Sequence, residues 1–555
     1  MPAVDSAAPR VSRDRIAPTV RARLLPLIYA NPLYSLALGS RFSTELRATP
    51  ADPWPGDRDA GVAVVEGDLM VAGERVRLPI DPWRQPPPGA VARAELHGFA
   101  WLRDLRALGS ETARRRAVGL TDGWVQTFEG WSKLAWRPDV IGNRLSSWFA
   151  NFGFLRAAAE PDIATRLLRS AARQARHLVR AIDDEPGDHR RFAAIKGLLT
   201  AGVCLNGQDR ALSAGMAVLS RELGRQLLPD GGHVQRNPAI LARVLRDLID
   251  IRNILITGHV EIPGDLQGGI DRVAPMLRAL RHGDGRLGLF HDGLEDDEHL
   301  VQTTLALSGS RGRAPSNAPH SGFQRIAAGR SLVLFDGGLP PVSGYDTTAH
   351  AGALAFEMSV GKDRLIVNCG ARSIDDAQWH LAMRGTAAHS TLTVDETNSA
   401  EVMADGLRRR PSVVTCDRRE ADGSVLIEAS HDGYVAALGL IHRRLLYISD
   451  DGTDIRGEDI LLRPSRGARG GHAFAIRFHM HPGVRASLAA GGDSVILRLP
   501  SGDGWRYRAA GGRPQLEDSV YLGMPGAPRR SQQVVVRGAV NGDVTIVKWR
   551  LAREA

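Results

Sequence analysis

The chain has few cysteines and no long apolar run. Only Cys204, Cys369 and Cys416 are cysteine among 555 residues, and their scattered positions fit neither a disulfide framework nor a thiolate zinc site. No stretch approaches the roughly 18 consecutive apolar residues of a membrane-spanning helix, so no transmembrane segment is expected. With 43% hydrophobic and 24% charged residues, a chain of this length predicts a folded protein of two or three domains.

Lysine is also scarce, although the chain is basic. The formal net charge is +9 at pH 7, yet the only lysines are Lys133, Lys196, Lys362 and Lys548, so arginine supplies most of the positive charge. A basic surface attracts nucleic acids, acidic polysaccharides and anionic membranes alike. Because no run interleaves basic residues with aromatic ones, we expect no nucleic-acid partner.

The N-terminus carries no clear export signal. Arg21 and Arg23 precede an apolar segment, but prolines interrupt this segment and no small-x-small cleavage site follows it. The pattern favours a cytoplasmic protein, with the periplasm or cell envelope as the alternative. Residues 1–20 are rich in Ala, Pro and Arg without periodicity, which predicts disorder.

Residues 21–92 predict a connector or cap rather than a core. Two segments of this region are dense in proline, glycine and aspartate, which favours loops. Between these segments, residues 62–69 and 74–78 predict a pair of short strands.

The remaining chain divides into a helical part and a β part. In residues 93–285, apolar and aromatic residues recur three and four apart, and the connections between these segments are short. Periodicity alone leaves a bundle, a solenoid and an α/α toroid open. In residues 286–555, short β-like runs recur between Gly and Asp turns, which predicts a large antiparallel β-sandwich. We therefore expect a helical domain followed by an all-β domain.

The densest group of chemically versatile side chains lies in residues 344–399. Three short predicted strands would bring His350, the Asn368–Cys369 pair and His389 to the ends of neighbouring strands. Such a placement suits a metal site or an acid/base cluster on a rigid sheet. The alternative is that these are ordinary core strands with hydrogen-bonded structural histidines.

Four motifs follow one another along the chain: LLPDGGHVQRNP (227–238), AHAGALAFEMS (349–359), LIVNCG (365–370) and RGTAAHSTLTVD (384–395). Together they resemble the heparinase II/III-type polysaccharide lyases, over roughly residues 90–550. The resemblance implies an incomplete α/α toroid, then a multi-sheet β-sandwich, with the active cleft between them. It also implies β-elimination on an acidic, uronate-containing polysaccharide.

The chain departs from the family pattern at the catalytic positions. Ile240 stands where the resemblance places a tyrosine base, and Thr348 stands where it places a catalytic histidine. Asp188, followed by His189, stands where the family neutralises the substrate carboxylate. Asp188 would serve there only with a raised pKa, since a deprotonated Asp repels that carboxylate. Otherwise His189 or a nearby arginine would act.

The resemblance also implies one structural zinc. Its ligands would be His350, His389 and Asn368, where Asn368 replaces the family's aspartate. The thiolate of Cys369 would suit zinc, but neighbouring residues on a strand face opposite sides. Cys369 would therefore replace the missing carboxylate only at a bulge or at a strand end.

Other residues are candidates for substitute chemistry. His233, Arg236 and Asn237 lie where a loop meets a helix N-terminus, a favourable place for an anionic group. A plain helix start with Asn237 as N-cap explains the same residues. Tyr345 is the tyrosine best placed to serve as a substitute base, or it is a packed loop residue.

Three further residues are candidates for substrate contacts. Arg384 approaches the same strand as His389, which suits carboxylate or sulfate binding. Arg144 and Trp148 lie one helical turn apart and would form a sugar-stacking wall, unless Trp148 belongs to the core. Two functions follow: a lyase with a rearranged acid/base set, or a non-catalytic relative that binds an anionic glycan or cell-envelope component in the same cleft.

Overall fold

The structure of the protein is a computed structural model. The sequence predicts disorder for residues 1–20, which lie outside the described residues. The stretches described are residues 24–39, 46–71, 73–184, 187–372, 375–464, 471–524 and 526–554.

Helices dominate the first half of the described chain, and most of them pack into an incomplete α/α toroid, as predicted from the resemblance. No helix in the described part is both long and apolar enough to cross a membrane. The helices are Pro32–Leu38, Arg58–Glu66, Ala90–Gly98, Leu102–Leu108, Glu111–Thr127, Pro138–Ala150, Phe152–Arg156, Pro161–Ala181, Arg190–Cys204, Asp209–Gln226, Pro238–Thr257, Gly264–Ala279, Glu298–Ser308, Ala377–Arg384 and Val435–Leu438.

The helix Arg190–Cys204 is the most buried element of the toroid. Every residue from 191 to 204 is buried, and the helix packs against Pro138–Ala150, Asp209–Gln226 and Pro238–Thr257. Its approach to Pro138–Ala150 depends on glycine, because a Cβ at Gly197 would lie 2.4 Å from the Gly142 Cα. The sequence therefore sets the helix spacing on which the toroid depends.

The structure differs from the sequence prediction in residues 62–69. A helix runs from Arg58 to Glu66, and only the hairpin that follows it is β-structure. Asp57 caps the helix by accepting hydrogen bonds from the amides of residues 59 and 60, and Gly67 ends it with φ +93°. The β-branched residues had indicated a strand, but packing of the buried Val64 against the helical core overrides that preference.

Strands dominate the second half of the chain. They are β1 Asp68–Val71, β2 Glu74–Arg77, β3 Asn317–Ala318, β4 Phe323–Ala328, β5 Ser331–Asp336, β6 Phe356–Val360, β7 Asp363–Val367, β8 Leu392–Val394, β9 Val402–Met403, β10 Gly406–Leu407, β11 Val414–Ala421, β12 Ser424–Tyr434, β13 Leu440–Ile448, β14 Asp454–Leu462, β15 Ala473–Met480, β16 Arg485–Leu488, β17 Ser494–Arg498, β18 Gly504–Ala510, β19 Pro514–Tyr521, β20 Arg529–Ala539 and β21 Val544–Arg553.

Two large antiparallel sheets form the predicted β-sandwich. The nine-stranded sheet has the order β19-β20-β15-β7-β6-β5-β4-β3, with β8 paired to β15, and the eight-stranded sheet has the order β11-β12-β13-β14-β21-β18-β17-β16. The nine-stranded sheet is the middle layer of the molecule. In β5, Leu332 and Leu334 pack on the helical core, whereas Val333 and Phe335 face the second sheet. Because both faces are covered, all six residues of β5 are buried.

Candidate functional site

A cavity of about 520 Å³ opens among the helices of the toroid. Its walls come from Ala90–Gly98, Pro138–Ala150, Arg190–Cys204 and Pro238–Thr257, together with residues 50–54. This volume is typical of a site for a small molecule or for a few units of a polymer. Its basic lining residues are Arg103, Arg137, His189, Arg190, Lys196, Arg243 and Arg246.

Lys196, in the wall of this cavity, is held by carboxylates. Its Nζ lies 2.6 Å from Oδ1 of Asp247 and 3.3 Å from Oδ2 of Asp250. Burial acts to lower the pKa of Lys196, but the two carboxylates outweigh burial and raise it. Asp250 also accepts a 2.7 Å hydrogen bond from Nε1 of Trp54. The charge of Lys196 is therefore retained but already paired.

Arg243 differs from the other cavity cations. It projects from the helix Pro238–Thr257, its side chain is exposed, and no described carboxylate pairs with it. Its charge contributes to a lowered pKa of His189, which lines the same cavity. Arg243 is therefore available to an anionic ligand in the cavity.

His189 lines the same cavity as a neutral imidazole. Its Nδ1–H donates a 2.8 Å hydrogen bond to Oε1 of Gln235, and its backbone N–H donates to the same oxygen at 3.3 Å. Burial lowers the pKa of His189, Asp188 opposes that effect and Arg243 adds to it. With Nδ1 protonated, Nε2 carries the lone pair and can accept a proton.

Asp188 does not have the raised pKa that its predicted role required. Its carboxylate is buried and pairs with Arg190, whose Nη2 lies 2.9 Å from Oδ2. Burial would raise the pKa of Asp188, but Arg190 and His189 together lower it below its usual value. Asp188 is therefore a deprotonated partner of Arg190, and it is unsuited to neutralising a substrate carboxylate.

His233 is a buried member of a hydrogen-bond network rather than a cavity residue. Its Nε2 lies 2.9 Å from Oε1 of Gln226, and the Gln226 amide donates to Glu222 at 2.9 Å and to the carbonyl of Asp188 at 3.0 Å. Burial is the main cause that lowers the pKa of His233 to about 3. The network fixes the loop from which Gln235 positions His189.

Ile240, at the position of the family's tyrosine base, and Tyr345, the candidate for a substitute base, both lie outside the cavity lining. Ile240 is partly buried against the helical core and has no titratable group. Tyr345 is half-buried outside the cavity lining; burial raises its pKa, and the charge of the neighbouring Arg225 opposes that effect. His189, which the sequence suggested for neutralising the carboxylate, does line the cavity.

Arg236 and Asn237 join the two halves of the molecule. Arg236 donates to the carbonyl of Ser321 at 2.6 Å and pairs with Asp336, and its guanidinium lies 4.8 Å from the centre of the Phe323 ring. Asn237 caps the helix Pro238–Thr257 by accepting from the amides of residues 239 and 240. Both side chains are buried, which corrects the prediction that they bind substrate.

Arg144 and Trp148 form no sugar-stacking wall, because both side chains are buried in the toroid core. Arg144 donates to Oε1 of Gln174 at 2.8 Å and to the carbonyls of His97 and Ala135 at 2.9 and 2.7 Å. Its guanidinium also lies 4.0 Å from the centre of the Trp124 ring and 5.8 Å from that of Trp148. The pair stabilises the core and cannot contact a ligand.

Arg384 is likewise occupied by the protein itself. It is fully buried, and it donates to the carbonyls of Ala349, Met403 and Gly406 at 2.9, 2.8 and 3.2 Å. These bonds hold two loops of the sandwich together. The predicted contact of Arg384 with a carboxylate or sulfate is therefore not supported.

His350 and His389 do come together, as a directly hydrogen-bonded pair. His389 donates from Nδ1 to the carbonyl of Gly385 at 2.8 Å, so its Nε2 accepts from Nδ1–H of His350 at 3.0 Å. Burial is the main cause that lowers the pKa of His389 to about 3. The two nitrogens that face each other are used by this bond.

Asn368 and Cys369 do not complete a zinc site with these histidines. The Asn368 amide donates to the carbonyl of Leu289 and accepts from the backbone N–H of Ser390, both at 3.0 Å. The Cys369 sulfur lies 3.4 Å from His479, and burial raises the pKa of its thiol to about 12. No group of three His, Cys, Asp or Glu side chains in the described chain is arranged to hold a metal. This donor set does not fit a structural zinc.

The structure reveals one titratable cluster that the sequence motifs did not indicate. Asp292 follows His291 in a loop where both residues have positive φ, +70° and +48°. Oδ1 of Asp292 lies 3.7 Å from Nε2 of His350 and 4.0 Å from Nδ1 of His380, and burial raises the pKa of Asp292 to about 7. The short run HDG in residues 291–293 was the available signal, but it lies between the helical and β patterns.

Two family models match the chain in succession. The model described as "Heparinase II/III N-terminus" matches residues 111–305, and the model described as "Heparinase II/III-like, C-terminal" matches residues 310–550. The first match covers most of the toroid, and the second covers most of the β-sandwich.

Individual proteins resemble the chain over nearly its whole length. The "FtsZ-localized protein C" of Caulobacter vibrioides (strain NA1000 / CB15N) is 32% identical over 527 residues, which cover 92% of this chain and 90% of that protein. A crystal structure of heparinase III aligns over 98% of this chain and 92% of its own, with TM-score 0.71 and 13% identity. The heparan sulfate lyase HepC of Pedobacter heparinus aligns over 96% and 88%, with TM-score 0.60 and 17% identity. At such identities the structural likeness shows the fold alone.

Proposed function

Because the chain belongs to the heparinase II/III family, we propose that it binds an acidic, uronate-containing polysaccharide in the cavity of its toroid. The observation that carries this proposal is Arg243, an exposed cation on the cavity wall with no carboxylate partner among the described residues. A guanidinium can bind a uronate carboxylate through two parallel hydrogen bonds. The neutral ring of His189 lines the same cavity and adds no repulsive charge.

The cavity supplies only part of what β-elimination requires. That reaction needs a cation for the uronate carboxylate, a base for the proton on C5 and an acid for the leaving oxygen on C4. Arg243 would neutralise the carboxylate, and Nε2 of His189 would accept the proton. The side chains that the family resemblance implies beside these two are absent, since Ile240 replaces the tyrosine and Thr348 replaces the catalytic histidine, and Tyr345 lies outside the cavity lining. We therefore expect binding with little or no turnover.

A panel of polymers tests binding and catalysis together. The purified chain is titrated by calorimetry with polyglucuronate, polygalacturonate, heparan sulfate and neutral dextran, and each mixture is followed by ultraviolet absorbance for unsaturated uronate. We expect a uronate polymer to bind, dextran not to bind and the absorbance to stay flat. A steady rise that His189→Gln abolishes would establish an active lyase instead, and failure of every acidic polymer to bind would reject the proposal.

A second candidate function is association with FtsZ. It is favoured by the relative named for its FtsZ localisation, which is 32% identical across almost the whole of both chains. We propose that this chain also associates with FtsZ, in agreement with the cytoplasmic location expected from its sequence. A pull-down with purified FtsZ and co-localisation of the two fluorescent fusions in cells test this proposal. No retention and a diffuse distribution would contradict it.

A further inference from the structure

The outer face of the eight-stranded sheet is a second surface suited to a ligand. Along β12, β13, β14 and β21, buried residues alternate with partly or fully exposed ones. The buried set, which includes Ile427, Leu446 and Trp549, faces the core of the sandwich. The opposite face carries the charges considered next and exposed residues, among them Arg456, Lys548 and Arg550.

One cross-strand row on this face combines an aromatic ring with three arginines. Tyr447 of β13 pairs with Arg456 of β14, Arg456 with Arg550 of β21, and Arg550 with Arg508 of β18. With adjacent strands ~4.8 Å apart, the row spans ~14 Å. The Arg456 guanidinium lies 5.5 Å from the centre of the Tyr447 ring, so the aromatic end of the row is also positively charged.

The charges of this row are only partly neutralised. Asp454 accepts from Nε of Arg456 at 2.8 Å and from Nε of Arg550 at 2.7 Å. Arg508 is exposed and has no carboxylate partner in the described part of the chain. Two of the three guanidinium groups thus share one carboxylate and the third has none among the described residues, which leaves the row attractive to an anion.

A groove of about 540 Å³ runs beside the row. Leu426, Leu445 and Ala510 supply an apolar lining, and the two leucines are half-buried on the solvent side of the sheet. At its rim, Nζ of Lys548 pairs with Oε1 of Glu458 at 2.9 Å. The groove therefore has an apolar floor with a mainly basic edge.

We propose that this face binds an acidic segment of a partner protein. An aliphatic or aromatic side chain of the segment fills the groove, and neighbouring carboxylates pair with Arg508 and Arg550. Tyrosine and arginine around an apolar pocket are typical of the residues that dominate protein interfaces. The strands concerned lie inside the sheet, so the segment lies across its face and does not add a strand to its edge.

A polysaccharide fits this face less well than a peptide. Its many hydroxyl groups require hydrogen-bond partners, whereas Leu426, Leu445 and Ala510 offer side chains without any. The proposal is independent of the toroid cavity, which lies in the other half of the molecule. The two sites can therefore fail separately.

Fluorescence anisotropy of labelled synthetic peptides tests the proposal on the full chain. The first peptide alternates glutamate and leucine; in the second, serine replaces each leucine, and in the third, glutamine replaces each glutamate. We expect the first peptide to bind and the affinity of each of the other two to be lower by a factor of about ten or more. Arg508→Glu should lower the affinity for the first peptide by a similar factor. Arg530→Glu, on the nine-stranded sheet, should leave that affinity unchanged.

Each other outcome overturns the proposal in a defined way. No binding of the glutamate–leucine peptide rejects the surface as a peptide site. Equal binding of the serine peptide shows nonspecific attraction of charge. Displacement by polyglucuronate from wild type but not from Arg508→Glu assigns the face to a glycan. If the wild-type protein is a dimer in sedimentation and Arg508→Glu dissociates it, the face is assigned to a second copy of the chain.

Arg243→Gln, which alters the toroid cavity, is a further control and should not change peptide binding.

Discussion

Arg243 and His189 face the same cavity but contribute differently to it. Arg243 brings an unpaired positive charge, whereas His189 brings a neutral ring whose lowered pKa is caused chiefly by burial. An acidic ligand gains electrostatic energy from the first and a hydrogen-bond acceptor from the second. This division of roles favours recognition over a complete elimination.

Sequence spacing predicted some residue roles and misassigned others. An asparagine directly before a proline that starts an apolar periodic segment predicts an N-cap, and Asn237 is one. The four-residue spacing of Arg144 and Trp148 predicts a shared helix face, but it does not reveal whether that face meets solvent or core. Burial of both depends on Gln174 and other distant partners, which one helix cannot disclose.

The hydrogen bond between His350 and His389 predicts insensitivity to metal removal. The protein purified without added metal should hold much less than one zinc per chain by mass spectrometry of the element. Dialysis against a chelator should leave the thermal unfolding temperature unchanged, because the contacts of both histidines and of Asn368 are made within the chain. A stoichiometric zinc whose removal lowers that temperature by several degrees would contradict this assignment.

At the scale of elements, the residues that begin and end a helix predicted its position better than the strand propensity of the residues between them. The valines of residues 62–65 favoured a strand, yet Asp57 and Gly67 are an N-cap and a left-handed C-terminal glycine. Those two signals, read together, would have predicted the helix. The strands of the sandwich were predictable because successive side chains of a strand face opposite sides of the sheet. In β13, for example, buried and partly exposed residues alternate along the whole strand.

The close approach of two toroid helices gives a prediction about Gly197. Gly197→Ala should destabilise the chain by about 2 kcal/mol, because its Cβ would meet the Gly142 backbone and force the helices apart. Denaturant unfolding followed by circular dichroism measures the change.

Gly224→Ala is the matched control for this substitution. Gly224 also lies in a helix, but nothing lies within 4 Å of a Cβ there. The better helix propensity of alanine should then raise the unfolding free energy by up to about 1 kcal/mol. Equal effects of the two substitutions would show that helix spacing is not set at Gly197.

At the scale of the whole molecule, periodicity predicted the order of a helical half and a β half. The toroid itself followed from family resemblance, since bundles and solenoids share the same periodicity. The sequence did not reveal which cations of the cavity are neutralised by carboxylates, because the ion pairs join residues far apart in sequence, such as Lys196 and Asp247. Only the folded arrangement shows which cation is left unpaired.

Buried histidines throughout the molecule predict a loss of stability in acid. His97, His233, His389 and His479 each have a pKa lowered to about 3, mainly by burial. In the unfolded chain their pKa is about 6.5, so between these values the unfolded state binds more protons. The free energy of unfolding is therefore highest above pH 6.5, where these histidines are neutral in both states, and it falls progressively as pH falls towards 3. Each of these histidines should lower the free energy of unfolding by on the order of 2 kcal/mol between pH 7 and pH 5.

Urea unfolding at pH 8, 7, 6 and 5 measures this dependence. The free energy of unfolding should be nearly constant from pH 8 to 7 and should then fall steeply. His479→Gln should make the fall shallower, since one proton-binding group is removed from the unfolded state. A free energy that stays level down to pH 5 would contradict the burial of neutral histidines.

The most direct test of the cavity assignment is calorimetric titration of polyglucuronate into wild type, Arg243→Gln and Arg530→Gln. Arg243 is a cavity cation without a carboxylate partner among the described residues, whereas Arg530 is an exposed arginine of the nine-stranded sheet, paired with Asp518 at 2.9 Å. We predict that wild type and Arg530→Gln bind with the same affinity and that Arg243→Gln binds at least about tenfold more weakly. Equal affinity of all three proteins would contradict the account, because binding would then not depend on the cavity cation.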